Sequence, residues 1–400
     1  MLQPTDIAIV SGARTPMGRY CGKLRDFTAQ ELGAVAAKEA IGRAGVDAKE
    51  FDHVIFGNAQ QTSGDALYGA RHVGLLAGLP VEVPALTLNR LCGSGMQAIV
   101  TATQLIQLGE AKMVLAGGME AMSQAPHVIR GARWGFGLGE GRLEDSLMVA
   151  LLDSYCGLAM AGTAELYAEQ QGITRQHMDE FALRSQQLAE TAYKSCRMKE
   201  ELVPVPLKDA KGRPTGEMFT EDDHRRPQTT LEGLAKLKPA FRKDGAVTAG
   251  NASGIVDGGA AVVVMPLADA QKRNLRPLGR LVSWGIAGVE PKIMGSGPVP
   301  ATRVALKNAG LKLDDMDLIE VNEAFAAQYL AVEKELGLDR EKVNVNGGAI
   351  ALGHPLGATG TRLVLTLLYE LRRRKGKYGL ATACIGGGQG IAVIVESLQK

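Results

Sequence analysis

The chain has 400 residues, of which 46% are hydrophobic and 22% charged, and its formal net charge at pH 7 is +2. This length can bury a substantial core, and the composition excludes disordered and collagen-like chains. The near balance of charge argues against a surface for nucleic acid, which would concentrate lysine and arginine.

Alternating strands and helices are predicted in the first part of the chain, from apolar periodicity and from glycines at element ends. In chain order these elements are strand 6–10, helix 28–45, strand 54–56, helix 96–108 and strand 113–118. Strands that alternate with helices predict a parallel α/β sheet covered on both faces.

A segment of different composition follows, at about 122–248, with a helix predicted around 174–195 and a charged stretch after it. A segment this long inside a compact domain usually forms a lid or an inserted subdomain. The second half then repeats the order of the first, with a strand at 277–288, a helix at 300–309 and a strand in "DLIEV". We therefore predict two duplicated α/β halves, 1–121 plus 249–271 and 272–400, with an inserted loop domain at 122–248.

The five cysteines form no CxxC pair and no regular framework, and the sequence shows neither a signal peptide nor an apolar span of 18 residues. A reducing, cytoplasmic location without membrane contact is therefore expected. An unpaired cysteine there is either buried packing or reactive chemistry.

Cys92 in "NRLCGSGMQA" stands directly before a predicted helix, whose opening amides could lower the pKa of a thiol. The neighbouring glycines suggest a sulfur that a substrate can approach, although a small buried hydrophobe is the alternative.

His354 in "GHPLG" stands at another helix start and suggests proton transfer. Cys384 in "TACIGGGQG" ends an apolar strand, where open α/β sheets carry active residues, but alone it is better explained as buried packing.

Asn322 and Glu323 interrupt an apolar context in "EVNEAF". Asn322 could cap the following helix or polarise a carbonyl.

The six histidines show no metal-ligand spacing, so no metal is expected. The glycine clusters match neither GxGxxG after a first strand nor a P-loop, so a nucleotide site is weakly supported.

Five blocks in order, "NRLCGSGMQAI", "VTAGNASGIVDGGAA", "NEAFAAQ", "NGGAIALGHPLGATG" and "CIGGGQGIA", resemble the signatures of the thiolases. The resemblance implies two similar α/β halves in a layered α-β-α-β-α fold, assembled as a homodimer or homotetramer. It also implies reversible cleavage of a 3-oxoacyl-CoA by CoA, with coenzyme A as a substrate and no permanently bound cofactor.

By this resemblance, Cys92 is the nucleophile that carries the acyl group, His354 its base, and Cys384 the second acid and base. Asn322 holds a water in one oxyanion site, and the backbone amides of Cys92 and Gly386 form the other. The resemblance further assigns CoA and substrate contacts to Arg226, Ala249, Ser253, Phe241, Phe325 and Met160.

One position departs from the family pattern. Many short-chain members carry His-Met-Gly where this chain has Ala159-Met160-Ala161. A small residue on the acyl side predicts a substrate bulkier or more polar than acetoacetyl-CoA.

Two other functions are also compatible with the sequence. A ketoacyl synthase shares the duplicated architecture, but it normally pairs one cysteine with His/His or His/Asn. An acyl-CoA-binding subunit of a larger acyltransferase complex would leave the chain dependent on an accessory protein.

Overall fold

The computed structural model describes residues 6–209 and 211–399. Residues 1–5, 210 and 400, which fall within the predicted domain ranges, lie outside the described residues. The strands are β1 (Ile7–Arg14), β2 (Gly18–Arg19), β3 (His53–Gly57), β4 (Ala85–Leu88), β5 (Val114–Ala121), β6 (His127–Ile129), β7 (Leu143–Asp145), β8 (Leu152–Asp153), β9 (Leu158–Ala159), β10 (Val205–Lys208), β11 (Pro214–Phe219), β12 (Val256–Pro266), β13 (Gly279–Gly288), β14 (Leu318–Val321), β15 (Tyr378–Ile385) and β16 (Gln389–Ser397). The α-helices are α1 (Ala29–Ala44), α2 (Gly69–Ala77), α3 (Ser94–Gln107), α4 (Ser146–Ala150), α5 (Met160–Gln170), α6 (Arg175–Lys194), α7 (Leu231–Ala235), α8 (Leu267–Lys272), α9 (Pro298–Ala309), α10 (Ala326–Leu336), α11 (Ala349–Leu352) and α12 (Leu356–Arg374).

One ten-stranded sheet runs through both halves in the order β14-β15-β16-β13-β1-β12-β5-β3-β4, with β2 beside β12. The two halves join edge to edge where β1 pairs with β13, from Ile7 opposite Leu281 to Ile9 opposite Gly279. One apolar core is built from residues of both halves, and each half has a further core of its own.

The prediction of a purely parallel sheet is wrong, because the sheet is mixed. Pairs β3–β4, β3–β5 and β14–β15 are parallel, whereas β1, β12, β13 and β16 pair with their neighbours in the antiparallel sense. Strands β15 and β16 are separated only by Gly386, Gly387 and Gly388, and so short a turn reverses the chain; a parallel partner needs a long crossover.

The helices form the outer and central layers of the fold. Helix α1 covers one face of the first half, α9 covers the opposite outer face of the second half, and α3 and α12 pack against each other between the two halves. The layered α-β-α-β-α fold predicted from the sequence is therefore confirmed. The starts of α3 and α12, which follow Cys92 and His354, meet in the middle layer.

Glycines permit the close approach of the two central helices. A Cβ on Gly95 would lie 2.5 Å from the Thr361 backbone nitrogen, and one on Gly118 would lie 1.9 Å from the Gly357 carbonyl oxygen. Neither backbone contact could yield to a larger side chain. These contacts fix where the first turn of each helix stands relative to the end of β5.

The segment that was predicted as an insertion contains the hairpins β6–β7, β8–β9 and β10–β11 together with helices α4 to α7. Its helices α5 and α6 pack against α10 of the second half. Phe181 of α6 stacks on Tyr329 of α10 with ring centroids 3.9 Å apart. The cover formed by this segment is thus anchored on the half that carries His354 and Cys384.

Candidate active site

Cys92 lies in a single 3-10 turn, Leu91–Gly93, that runs directly into α3. The residue before it, Leu91, has φ of +46°, a left-handed conformation that costs a leucine on the order of 1–3 kcal/mol. Two hydrogen bonds hold this strained residue. Asn89 Oδ1 accepts from the Leu91 N–H at 2.8 Å, and Ser94 Oγ donates to the Leu91 carbonyl oxygen at 2.7 Å. The direction of the Cys92 side chain is therefore set by the local backbone.

The expectation that the helix start lowers the pKa of Cys92 is wrong. Burial raises the pKa of the Cys92 thiol to about 12, and the charge of Glu120 adds to the increase. The N–H of Gly386 and that of Cys92 itself hydrogen-bond the sulfur and oppose the increase. Desolvation outweighs these amides, so Cys92 is a thiol that needs a base to lose its proton.

The glycines beside Cys92 do not open the sulfur to solvent, contrary to the sequence interpretation. Gly93 and Gly95 are both buried, and a Cβ on Gly93 would lie 2.6 Å from Ile385 Cδ1. The small residues allow the Cys92 turn to pack against β15 and α3 to pack against α12. Access to the partly buried Cys92 comes instead from a cavity on its other side.

His354 is buried between the end of α11 and the start of α12. The Thr359 hydroxyl donates to the Pro355 carbonyl oxygen at 2.9 Å, so at 2.6 Å from His354 Nδ1 it accepts the ring proton. Nε2 then carries the lone pair and faces Asn322 Nδ2 at 3.3 Å. Burial, with the charge of Arg362, lowers the pKa of His354 to about 3, so the imidazole is neutral and can accept a proton.

Cys384 is buried at the end of β15, next to Met294 and Ala324. Burial raises the pKa of its thiol, and the nearby charge of Cys92 raises it further. Cys92 belongs to the first half and Cys384 to the second, yet both side chains line one cavity and so lie in one site.

Asn322 and Glu323 have different surroundings. Asn322 does not cap the next helix, since α10 begins at Ala326; its amide faces His354, and its Oδ1 is buried with no hydrogen-bond partner among the described residues. Glu323 accepts hydrogen bonds from the Ser185 hydroxyl at 2.6 Å and the Asn344 amide at 2.9 Å. Asn322 therefore belongs to the site, whereas Glu323 ties α6 to the loop before α11.

One cavity of about 190 Å³ brings together most of the predicted residues. The predicted residues that line it are Cys92, His354, Cys384, Ser253, Phe241, Phe325 and Met160. The remaining lining is almost entirely apolar and includes Met122, Met148, Leu151, Ala159, Met294 and Leu356. Two thiols and an imidazole thus share an apolar chamber.

Arg226 and Ala249 lie outside this chamber, along a second cleft of about 210 Å³. The His224 ring separates the two spaces, since a Cβ on Gly254 would lie 2.4 Å from it. Arg226 is exposed, and its guanidinium has no partner among the described residues. A positive group at an open cleft that adjoins the chamber suits an elongated anionic ligand.

Phe241 and Phe325 stand where the chamber opens. Their rings meet edge to face with centroids 6.4 Å apart, and Phe241 is 48% exposed. At this exposure Phe241 is not a buried core residue. Such a ring pair can hold a narrow apolar passage.

Sequence reasoning missed the apolar lining contributed by the inserted segment, above all Met148 and Leu151. No spacing or motif distinguishes them from other apolar residues of the chain. It also missed Thr359, whose only signal is its place five residues after His354 within one glycine-rich block.

The described residues contain no group of three or more His, Cys, Asp or Glu side chains that could hold a metal ion. None of the helices in residues 6–209 and 211–399 is long and apolar enough to cross a membrane.

Two family models cover nearly the whole chain. The model described as thiolase, N-terminal domain, matches residues 7–268, and that described as thiolase, C-terminal domain, matches residues 275–397. The chain belongs to the thiolase family. This thiolase is an acyltransferase of the class that cleaves 3-oxoacyl-CoA.

Relatives with different printed names match this thiolase about equally well. The mitochondrial 3-ketoacyl-CoA thiolase of Homo sapiens is 54% identical over 392 residues, which are 98% of both chains. An acetyl-CoA acetyltransferase of Cupriavidus necator is 50% identical over 393 residues, 98% of this chain and 99% of the relative. The crystal structure of the human mitochondrial enzyme in complex with CoA superposes with a TM-score of 0.95 at 53% identity and covers 98% of each chain.

The expected cytoplasmic location is contradicted by these comparisons. The human relative and those from Pongo abelii and Bos taurus are named as mitochondrial proteins, which points away from the cytoplasm.

Proposed function

We propose that this thiolase cleaves 3-oxoacyl-CoAs whose apolar acyl chain is longer than acetoacetyl, through an acyl group carried on Cys92. The observation that carries the proposal is the shared chamber of Cys92, His354 and Cys384, whose other walls are apolar. Covalent catalysis by a thiol divides one difficult acyl transfer into two easier steps.

In the first step His354 Nε2 takes the proton of the Cys92 thiol, and the sulfur attacks the 3-oxo carbon. The bond between C2 and C3 breaks, and the acyl group stays on Cys92 as a thioester. The electron pair of that bond goes to C2, which takes the proton of the Cys384 thiol and leaves as acetyl-CoA. The raised pKa of Cys384 suits this role, because a thiol that holds its proton is available as an acid.

In the second step the Cys384 thiolate takes the proton of an incoming CoA thiol. The CoA sulfur attacks the thioester, a shortened acyl-CoA forms, and Cys92 regains its proton from His354. Every group returns to its starting state, and the same steps in reverse describe condensation.

Two sets of hydrogen-bond donors would stabilise the oxyanions. The Gly386 and Cys92 N–H groups already point at the Cys92 sulfur, which supports a role toward an acyl oxygen bound there. Asn322 beside His354, with an unpartnered Oδ1, supports the second set, in which a water held by Asn322 acts with the imidazole. Losing one such donor costs on the order of 3 kcal/mol of transition-state stabilisation.

Coenzyme A would lie with its pantetheine along Ser253 and Ala249 and its phosphates toward Arg226. Neighbouring stretches of one segment line the two spaces, Ala249 and Gly250 on the cleft and residues 252–255 on the chamber, which supports this path. The human relative solved with CoA supports the ligand class.

An Arg226→Ala variant should raise KM for CoA and leave kcat nearly unchanged.

The lining supports a long and apolar acyl group rather than a polar one. Ala159 leaves space beside Met148 and Leu151, and none of the described residues that line the chamber has a charged side chain. Rates of CoA-dependent cleavage should be compared for acetoacetyl-CoA, 3-oxooctanoyl-CoA and an aryl 3-oxoacyl-CoA. A clear preference for acetoacetyl-CoA would overturn the proposed specificity, and thiolysis of long chains would suit a step of β-oxidation.

A homodimer or homotetramer is supported by two exposed features. Strand β4 is the edge of the sheet among the described residues, and Leu86 on it is exposed; hairpin β6–β7 carries the exposed Trp134 and Leu138 on its loop. Edge strands and exposed apolar groups are ordinary sites of association. Analytical ultracentrifugation would measure the assembly, and turnover by the purified chain alone would exclude a required accessory subunit.

A further inference from the structure

Glu120 is a fully buried carboxylate on β5 that none of the proposed chemical steps uses. Four N–H groups donate to its two oxygens. Asn58 Nδ2 and the Gln60 backbone N–H donate to Oε1 at 2.8 and 2.9 Å, and the backbone N–H groups of Ala59 and Gly357 donate to Oε2 at 3.0 and 2.8 Å. Both oxygens are thus fully engaged.

One arm of this arrangement reaches the histidine. Gly357 belongs to the first turn of α12, three residues after His354, and its N–H would otherwise lack a partner at the helix start. A Cβ on Gly357 would lie 2.5 Å from the Met119 carbonyl oxygen, so the helix start rests directly on β5. Glu120 therefore fixes the turn that presents His354.

The other arm reaches the nucleophile. Glu120 holds the loop 58–60, and the Ala59 carbonyl oxygen of that loop accepts from Asn89 Nδ2 at 3.0 Å. The other end of the same amide, Asn89 Oδ1, holds the strained Leu91 N–H at 2.8 Å. The left-handed conformation that aims Cys92 is thus connected to Glu120 through three hydrogen bonds.

We propose that Glu120 is a positioning residue that holds the Cys92 turn and the His354 turn at a fixed separation through one carboxylate. The inference rests on the proposed roles of these two residues. A displacement of about 1 Å between nucleophile and base can cost on the order of 100-fold in rate.

The test compares Glu120→Gln with Glu120→Asp and with Glu201→Gln. In Glu120→Gln the side-chain length is kept, but the amide nitrogen faces N–H donors and can accept from none of them. Glu120→Asp keeps the charge, but its side chain is too short to bind both Gly357 and the loop 58–60. Glu201 is a matched control, a buried carboxylate that binds Arg14 and Thr366 and contacts neither catalytic turn.

Each variant is measured for thermal unfolding, for kcat and KM with 3-oxooctanoyl-CoA, and for the alkylation rate of Cys92 by iodoacetamide across pH. We expect both Glu120 variants to lose about 10- to 100-fold in kcat, with KM changed little, and to alter the pH profile of alkylation. Glu201→Gln should lower the unfolding temperature comparably and keep kcat within a few-fold of the parent.

Equal losses in Glu201→Gln and Glu120→Gln would overturn the proposal, and so would parent-like kcat in Glu120→Gln. Full rescue by Glu120→Asp would assign the effect to charge rather than to position and would also overturn it. The alkylation rate does not depend on the substrate, so a parent enzyme that fails to cleave 3-oxoacyl-CoA would refute the proposed function without deciding this test.

Discussion

The turns that carry Cys92 and His354 differ from the inserted segment in how their positions are held. At the turns, backbone meets backbone, as where a Cβ on Gly95 would lie 2.5 Å from the Thr361 nitrogen. The inserted segment instead contributes flexible side chains to the chamber, Met148 and Met160 among them, and exposes apolar groups such as Trp134 to solvent. The chemistry is thus placed on a rigid frame, and the choice of acyl group on an adaptable cover.

The largest expected effect is on the rigid side, in Cys384→Ala. If Cys384 is the acid we propose for the departing carbon, its removal should lower kcat by about 100- to 10,000-fold, the usual contribution of a general acid or base. Steady-state release of acetyl-CoA would measure it. Cys196→Ala, at an exposed cysteine, is the control and should behave like the parent. A loss of less than threefold in Cys384→Ala would remove this residue from the proposed chemistry.

In the inserted segment, Ala159→His should change the preference for acyl-chain length while the enzyme keeps its cleavage activity. Filling the space beside Leu151 should shift the ratio of kcat/KM for acetoacetyl-CoA over 3-oxooctanoyl-CoA by about 10- to 100-fold toward the short substrate. Ala159→Leu is the matched control, because it fills the same space without adding an imidazole. A similar shift in both variants would indicate volume, and an unchanged ratio in both would show that position 159 does not select the acyl chain.

Gly95→Ala tests whether the frame tolerates a single methyl group. The added Cβ meets the backbone of α12, so the free energy of unfolding should fall by about 1–3 kcal/mol, as in other overpacked cores. Chemical denaturation would measure the change. Gly42→Ala in α1 is the matched control, because its Cβ would meet nothing within 4 Å, and it should be neutral or stabilising. Equal behaviour of the two variants would mean that the central helices are not tightly held.

The last prediction concerns the pH dependence of the Cys92 thiol. Because the pKa of Cys92 is raised to about 12 and that of His354 is lowered to about 3, the free enzyme holds a neutral thiol and a neutral imidazole. Alkylation of Cys92 by iodoacetamide should therefore rise about tenfold per pH unit from pH 7 to 9, in step with the thiolate fraction. Mass spectrometry of the Cys92 peptide would follow the reaction. A rate that levels off below pH 8 would instead indicate a preformed thiolate and imidazolium.

The sequence predicted most of the strands and helices that carry the site, but not the contacts that hold them in place. Glycine clusters and apolar runs located the strands and helices, and the motif blocks identified Cys92, His354 and Cys384 before any geometry was known. The glycines beside Cys92 were misread, because a sequence does not show which backbone they approach. The direction of the Cys92 pKa was also misread, since burial depends on segments far away along the chain.

Residues that act at a distance in sequence were out of reach for a related reason. Glu120 accepts hydrogen bonds from residues 58–60 and from Gly357. Met148 lines the chamber from the inserted segment. Neither lies in a block whose spacing indicates a function. Their roles follow only from the tertiary structure that brings these segments together.

The central claim is that Cys92 carries the acyl group during turnover. The most direct measurement mixes the enzyme with 3-oxodecanoyl-CoA in the absence of free CoA and analyses the peptides by mass spectrometry after rapid acid quench. We expect an octanoyl group on the Cys92 peptide, released as octanoyl-CoA when CoA is added. An octanoyl group on the Cys384 peptide, or acetyl-CoA release without any modified cysteine, would contradict it.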